Sequence, residues 1–188
     1  MKKIIFLGLI ILLISAGGFF WWQKNQKDVK ELNKNLPERI KVTKSFLGKY
    51  KVIDKIDGYE FKVPEEWGGL AEIEYTPGRT EGGYSGTSLS IEGNKGAGRV
   101  AAIDFYKSGG DIDSDLKLWA ESNFRTFGLV GDFTQNRVGT FDAVKTQENI
   151  HLGGEYIYFF KEVGNRGVYT ITGPSEDFIR EIIANGKW

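Results

Sequence analysis

The residues of this chain that could support acid–base catalysis are few. His151 is the only histidine among the 188 residues, and it lies in a predicted strand between Ile150 and Leu152. A general base needs a pocket and a hydrogen-bonding partner, and the sequence around His151 indicates neither. No serine lies in a G-x-S-x-G nucleophile elbow. The sequence therefore predicts no catalytic residue and favours a protein that is not an enzyme.

An alternating run of carboxylates, a pattern that can bind calcium, lies at Asp111, Asp113 and Asp115. An EF-hand loop that began at Asp111 would need glycine at its sixth position and glutamate at its twelfth. The chain has Leu116 and Ser122 there. We interpret the aspartates instead as acids at a helix N-terminus, where exposed N–H groups favour negative charge. Because the chain also lacks cysteine, we predict no metal and no cofactor.

Two other stretches have residue types that occur in phosphate-binding and hydrolytic sites. The glycine-rich run Gly93–Gly98 does not predict a phosphate site, because no G-K-[ST] follows it and the next predicted element is a strand. Glu65 and Glu66 could supply half of a carboxylate pair, which leaves a cell-envelope hydrolase acting on cell-wall material as an alternative function. Their spacing nominates no second carboxylate, and a solvated loop explains them more simply.

Aromatic side chains in predicted loops are the remaining candidates. Aromatic rings can stack on sugars or peptides, and loops carry binding residues more often than cores do. Tyr84 lies in the glycine-flanked segment GGYSG, Gly82–Gly86, which predicts a flexible loop. We therefore expect a partner-binding loop that uses Trp67, Arg79 and Tyr84.

Composition limits the classes of function. The chain has 25 basic and 25 acidic residues, so its formal net charge is zero. A dedicated nucleic-acid-binding protein normally carries an excess of basic residues, so no nucleic acid is expected as a partner. Aromatic residues make up 14% of the chain and there are 25 glycines. Together they indicate a strand-rich domain with many turns.

Alternating apolar residues predict most of the strands. Asp57-Gly58 between two alternating runs predicts a hairpin with a two-residue type I′ turn. Strands are also predicted after Trp67, at Val100–Tyr106 and at Phe141–Ile150. The run Tyr156–Phe160 is apolar on both faces and predicts a central strand that is covered on each side.

Two amphipathic helices are predicted within the domain. The first begins near Asp113 or Ser114 and buries a stripe that includes Trp119. The second follows Pro174, with Ser175 as its N-cap. Short strand connections with few helices predict an α+β fold, in which a largely antiparallel sheet is sandwiched by helices.

The N-terminus predicts one transmembrane helix before this domain. Ile4–Trp22 is nineteen residues without a charge. As a helix it would span about 28 Å, close to the ~30 Å hydrocarbon thickness of a bilayer. We divide the chain into a membrane anchor at 1–22, a polar stalk or linker at 23–49 and the α+β domain at 50–188.

A cleaved signal peptide is the alternative interpretation of this run, with Ala16-Gly17-Gly18 as a site of small residues. Cleavage there would leave an N-terminus of four aromatic residues, so we favour a retained signal-anchor. Lysines flank the run on both sides, and their count alone would place the domain in the cytoplasm. A short N-terminal tail of this kind is typical of signal-anchors, so we expect an extracytoplasmic domain on a single-pass cell-membrane protein.

The motif Tyr59-x-Phe61-x-Val63-Pro64-x-x-Trp67 resembles the entry strand of the PsbP-like family, the photosystem II extrinsic subunits and their bacterial relatives. Later features follow in the family's order: an amphipathic helix around Trp119, Gly139 and Ala143 at a strand start, an aromatic hairpin from Tyr156 to Ile171, and a terminal helix. The resemblance covers about 50–188.

The resemblance implies an antiparallel sheet sandwiched by helices in a binding or assembly module without catalysis. It implies no metal ligand that can be matched to a position in this chain. The expected function is that of a membrane-tethered extracytoplasmic binding module. Its expected partners are the membrane, through the N-terminal helix, and an unknown protein or envelope ligand.

Overall fold

The computed structural model describes residues 27–78, 80–81, 84–94, 100–107, 115–124, 131–148, 154–161 and 167–188. Within these ranges no helix is both long and apolar enough to cross a membrane. The predicted anchor, 4–22, lies outside them. The helices are α1 (27–34), α2 (Leu116–Phe124) and α3 (Glu176–Asn185), with a 3-10 turn at Glu65–Trp67.

In the described ranges, eleven strands make up the sheets. They are β1 (Ile40–Lys44), β2 (Tyr50–Asp54), β3 (Glu60–Lys62), β4 (Leu70–Thr76), β5 (Thr80–Glu81), β6 (Tyr84–Gly93), β7 (Val100–Lys107), β8 (Thr134–Val138), β9 (Phe141–Gln147), β10 (Tyr156–Lys161) and β11 (Gly167–Gly173).

These strands form two antiparallel sheets. The small sheet has three strands in the order β1-β2-β3. The large sheet has eight strands in the order β4-β6-β7-β11-β10-β9-β8, and β5 pairs with β6 outside that path. Each strand pair found among the described residues is antiparallel. The predicted α+β class with a largely antiparallel sheet is therefore confirmed.

Strand β10 lies inside the large sheet and is covered on both faces, as its apolar run predicts. It pairs with β9 and β11. Tyr158 and Phe160 face the larger core, which includes α3 and residues of the small sheet. Ile157 and Phe159 face a second core, which includes Trp119 of α2. Helices α2 and α3 therefore pack on opposite faces of the large sheet.

Helix α3 begins and packs as its sequence predicts. Ser175 is the N-cap, and its hydroxyl accepts a hydrogen bond from the N–H of Phe178 at 3.4 Å. The buried residues of the helix recur at positions three and four apart, which places them on one stripe. They are Phe178, Ile179, Ile182 and Ile183.

Helix α2 begins at Leu116, later than the predicted start near Asp113 or Ser114, and Asp115 directly precedes it. The carboxylate of Asp115 accepts a hydrogen bond from the N–H of Lys117 at 2.8 Å. This is the side-chain capping that satisfies exposed N–H groups at a helix start. Asp111 and Asp113 lie outside the described residues.

The β2–β3 hairpin forms where predicted, but its turn differs. The predicted two-residue turn at Asp57-Gly58 is replaced by a four-residue loop, closed by the N–H of Asp54 and the carbonyl of Tyr59 at 2.9 Å. The carboxylate of Asp54 accepts hydrogen bonds from the N–H groups of Ile56 and Asp57. This side-chain turn competes with the tighter type I′ geometry. Gly58 still adopts a positive φ of 81°.

The segment predicted as a stalk, 23–49, contributes to the folded domain in its described part. Val29 of α1 is only 8% exposed and belongs to the larger core. The side-chain amide of Asn33 pairs with the backbone of Val42, donating to its carbonyl and accepting from its N–H, both at 2.9 Å. Residues 27–49 are therefore not a free linker, because α1 and β1 contribute buried apolar side chains to the larger core.

Trp67 and Gly93 fix how the 3-10 turn packs on the large sheet. The Trp67 side chain is fully buried, and its ring stacks on Phe178 with centroids 4.0 Å apart. A Cβ atom added to Gly93 would lie 2.6 Å from the Trp67 ring. The glycine at 93 is thus required by close approach of the indole.

We predict that Gly93→Ala destabilises the protein by about 1–3 kcal/mol, because the added methyl group overpacks the core. In a Trp67→Leu background the same change should cost clearly less, since the clashing ring is gone. Urea unfolding of the four proteins measures this coupling. Gly131→Ala is the control, because its nearest neighbour would be 3.6 Å away. Equal costs of Gly93→Ala in both backgrounds would contradict the explanation.

Candidate functional site

Of the three residues of the predicted partner-binding loop, the structure describes the side chain of Trp67 alone. Trp67 is a core residue whose side chain does not reach the surface. Arg79 lies outside the described residues. Tyr84 is the first residue of β6, so the predicted flexible loop at Gly82–Gly86 is corrected to a strand from Tyr84 onward. The backbone there pairs with both β5 and β7, which supply ladder partners that the local sequence does not reveal.

The other candidates from the sequence form no chemical site in the parts of the chain that the structure describes. His151 lies outside the described residues. Glu65 and Glu66 are exposed, and Glu65 forms an ion pair with Lys49. Hydrogen bonding to Lys49 lowers the pKa of Glu65. In the part of the chain that the structure describes, no group of three or more histidine, cysteine, aspartate or glutamate residues could hold a metal ion.

Two aspartates that the sequence analysis did not single out are buried beside one arginine. The Arg39 guanidinium lies 2.7 Å from a carboxylate oxygen of Asp54 and 2.6 Å from one of Asp57. The two carboxylate side chains are 0% and 2% exposed. Although burial disfavours the charge on Arg39, the hydrogen bond and negative charge of Asp54 outweigh it and raise the pKa of Arg39. We call these three residues the Arg39 cluster.

Further hydrogen bonds tie the Arg39 cluster to strands of the large sheet. Arg39 donates to the hydroxyl of Tyr75 at 3.0 Å. Thr87 donates to the carboxylate of Asp57 at 2.7 Å, and Tyr169 donates to the Asp57 carbonyl at 3.1 Å. A hydrolytic carboxylate pair must instead face a substrate and water across a cleft. The arrangement therefore joins the small sheet to β4, β6 and β11, and it does not form a catalytic pair.

We predict that Arg39→Met destabilises the protein by about 3–5 kcal/mol at neutral pH, because two buried carboxylates lose their counter-charge. Adding Asp54→Asn to Arg39→Met should recover part of the loss, since it removes one of those charges. Chemical unfolding of the purified variants measures both effects.

Arg137→Met is the matched control for this change. The Arg137 side chain is 71% exposed, and its Nε atom lies 4.0 Å from the Oδ1 atom of Asp142. An exposed pair of this kind contributes at most about 1 kcal/mol. A cost of Arg39→Met no larger than that of Arg137→Met would show that the Arg39 cluster does not hold the sheets together.

A second polar cluster lies at the start of α3. The hydroxyl of Tyr158 donates to Glu176 at 2.5 Å, and Lys145 contacts the same carboxylate at 3.1 Å. Burial and then the bond to Glu176 raise the pKa of Tyr158 to about 12. The hydrogen bond from Tyr158 lowers the pKa of Glu176. The cluster therefore attaches the start of α3 to β9 and β10.

We predict that Glu176→Gln weakens the protein by about 1 kcal/mol at neutral pH, because a charge-assisted hydrogen bond is lost. The folded-state pKa of Glu176 is lowered, so its contribution is present above the ordinary glutamate pKa of about 4.3 and is lost as pH falls through the folded value. The stability difference between parent and Glu176→Gln should therefore shrink below about pH 4. Asp142→Asn, at a side chain that is 93% exposed, should show no such trend in pH-dependent unfolding. A difference that stays constant down to acid pH would contradict this assignment.

The surface of the domain has a groove between α1 and the edge strand β4, with a volume of about 630 Å³. We call it the α1 groove. Its lining is formed by Asp28, Glu31, Leu32, Asn35, Tyr50, Leu70, Ala71, Glu72, Ile73 and Asn94. It shares Asp28, Tyr50 and Asn94 with a neighbouring depression of about 450 Å³, which reaches the β1–β2 turn. Both volumes are in the usual range for binding sites, roughly 300–1,000 Å³.

The lining of the α1 groove carries three acidic side chains. Asp28, Glu31 and Glu72 are exposed. The carboxylate of Asp28 lies 3.5 Å from the ammonium of Lys44. That ammonium also lies 4.5 Å from the centroid of the Tyr50 ring and donates to the Tyr50 hydroxyl at 2.9 Å. Glu31 and Glu72 suit a cationic group of a partner, while the lining at Leu70 and Ile73 is apolar.

The α1 groove is not evident from the sequence because its walls come from segments that are distant along the chain. The local signal is the spacing of Val29, Leu32 and Leu36, which places an apolar stripe along α1 and the residues just after it and leaves Asp28 and Glu31 facing outward. No family model, curated protein or solved structure matches this chain.

Proposed function

We propose that the chain is a membrane-tethered, extracytoplasmic binding or assembly module without catalytic activity, which binds its partner in the α1 groove. The observation that carries the proposal is the position of the groove. Asp28 lines it and follows the last residue of the apolar run Ile4–Trp22 by six positions. A depression of about 700 Å³ beside β8 and β9 lies elsewhere on the large sheet and has no such relation to the anchor.

The partner class follows from the lining of the α1 groove. The exposed carboxylates of Glu31 and Glu72, beside that of Asp28, which pairs with Lys44, favour a protein segment with lysine or arginine side chains and disfavour the phosphates of a nucleic acid. Strand β4 is at the edge of the large sheet, where an extended segment could pair. The register of β4 shifts between Leu70 and Glu72, and a bulge of this kind blunts an edge. Recognition is therefore assigned to side chains and not to strand addition.

The anchor is part of the proposal and rests on the sequence. The nineteen residues Ile4–Trp22 are long enough to cross a bilayer, and retention of the run places the domain at the cell membrane. The short N-terminal tail supports an extracytoplasmic domain. Kinship with the PsbP-like family is likewise proposed, on the motif from Tyr59 to Trp67 and on the order of α2, the aromatic hairpin and α3.

Photocrosslinking in intact cells tests the binding site. A photoreactive residue at Ala71, which is exposed in the α1 groove, should give a discrete adduct with a partner protein. The double variant Glu31→Lys and Glu72→Lys should reduce that adduct, because it reverses the charge that attracts the partner. Adduct yield, compared at equal membrane levels of the chain, is the measurement.

The control position is Leu118 on α2, which packs on the opposite face of the large sheet and is 57% exposed. A crosslinker there should not give the Ala71 adduct. The chain has no cysteine, so Leu118→Cys also reports topology by labelling with an impermeant maleimide in intact cells. Identical adducts from both positions, or adducts that are insensitive to the charge reversal, would refute the groove as the binding site. Protection of Leu118→Cys would refute the extracytoplasmic orientation.

A further inference from the structure

The turn between β1 and β2 presents two adjacent large apolar side chains to solvent. Phe46 is 66% exposed and Leu47 is 79% exposed. Among the residues that the structure describes, the other exposed large apolar side chains are Ile56 and Leu118, which stand singly. Isolated exposed apolar residues need no explanation, whereas clustered ones mark interaction sites. We call 45–49 the hairpin tip.

The hairpin tip is held in shape by its own hydrogen bonds. The N–H of Ser45 donates to the Lys49 carbonyl at 2.9 Å, and the N–H of Gly48 donates to the Ser45 carbonyl at 2.9 Å. The Ser45 hydroxyl accepts from the N–H of Lys49 at 3.1 Å. Gly48 has a φ of 83°, a conformation that glycine adopts readily. Phe46 and Leu47 are thus presented on an ordered turn, which lowers the entropic cost of inserting them into another phase.

The hairpin tip lies beside the point where the chain arrives from the N-terminal apolar run. The ammonium of Lys44, the last residue of β1, lies 3.5 Å from the carboxylate of Asp28. Asp28 follows Trp22 by six positions, which a chain can span with at most about 22 Å. If Trp22 is at the bilayer boundary, the hairpin tip is therefore held within reach of the same membrane surface.

We propose that Phe46 and Leu47 insert into the interfacial region of the membrane that anchors the chain. This inference rests on the proposed function, because it takes the apolar run as the anchor. Lys49 follows the inserted pair closely, and its side chain is 51% exposed and pairs with Glu65. A lysine in such a position places its ammonium group at headgroup level while apolar neighbours go deeper. Insertion turns the α1 groove, which also contains Asp28, toward the membrane surface.

The test uses the full-length chain in phosphatidylcholine vesicles that contain phosphatidylglycerol. Single cysteines replace Leu47, Ile56 or Leu118 in the cysteine-free chain and carry an environment-sensitive fluorophore. Ile56 is the matched control, because it is 65% exposed in the turn at the opposite end of β2, about 17 Å from the hairpin tip. Unchanged thermal unfolding of each labelled protein verifies the fold.

At Leu47 we expect a blue-shifted emission, protection from aqueous iodide and quenching by lipids with brominated acyl chains. At Ile56 and Leu118 we expect none of the three. Vesicle flotation in the same samples reports the anchor independently of the fluorophore. Flotation without lipid quenching at Leu47 would overturn the insertion and leave the anchor standing. Iodide protection without lipid quenching would mean that a second copy covers the hairpin tip, which also overturns it. Failure to float would overturn both proposals.

Discussion

Arg39 neutralises two aspartates that would otherwise be buried charges, at the place where the small sheet meets the large one. Asp54 ends β2 and Asp57 lies in the following loop, so both carboxylates belong to the small sheet. Tyr75 and Thr87, which complete the bonding, belong to β4 and β6 of the large sheet. Because each of these polar groups is costly to bury without its partners, the cluster admits one relative position of the sheets. Apolar packing alone tolerates alternatives more readily.

That position brings together a set of aromatic rings from distant parts of the chain. Tyr59 and Phe61 of the small-sheet segment pack against Trp188, the last residue, and Tyr169 of β11 lies against the same indole. The Trp188 N–H donates to the Ile183 carbonyl at 3.1 Å, so the indole is both buried and satisfied. The backbone of Lys187 also pairs with that of Glu60. The end of the chain thus closes the larger core and makes the small sheet part of one cooperative unit.

Local sequence patterns predicted those helices and strands whose conformation depends on residues close to them along the chain. The doubly apolar run of β10, the capped stripe of α3 and the β2–β3 hairpin could all be identified from spacing. The exact turn at Asp57 could not, because Asp54 redirects it with its carboxylate. The sequence of helix α1 and strand β1 is polar overall and therefore predicts a stalk. Their few apolar residues are buried only because they join the larger core, which is built from distant parts of the chain. The α1 groove needs residues from α1, β4 and Asn94 together, so no single stretch could indicate it.

The hairpin tip and the anchor differ greatly in the affinity for the membrane that each can supply, and that difference explains what the tip can do. Burying one leucine or phenylalanine gains about 1.5–3 kcal/mol, which is too little for two such residues to hold a soluble domain on a membrane by themselves. A tether changes the situation, because the tip then meets the bilayer at a high effective concentration. In the proposed arrangement the anchor supplies attachment, and the tip supplies orientation.

A domain attached at one point can rotate freely, whereas two nearby points of contact restrict the direction in which the α1 groove opens. A partner that approaches along the membrane surface would meet the acidic wall of the groove in a defined orientation, which lowers the entropic cost of binding.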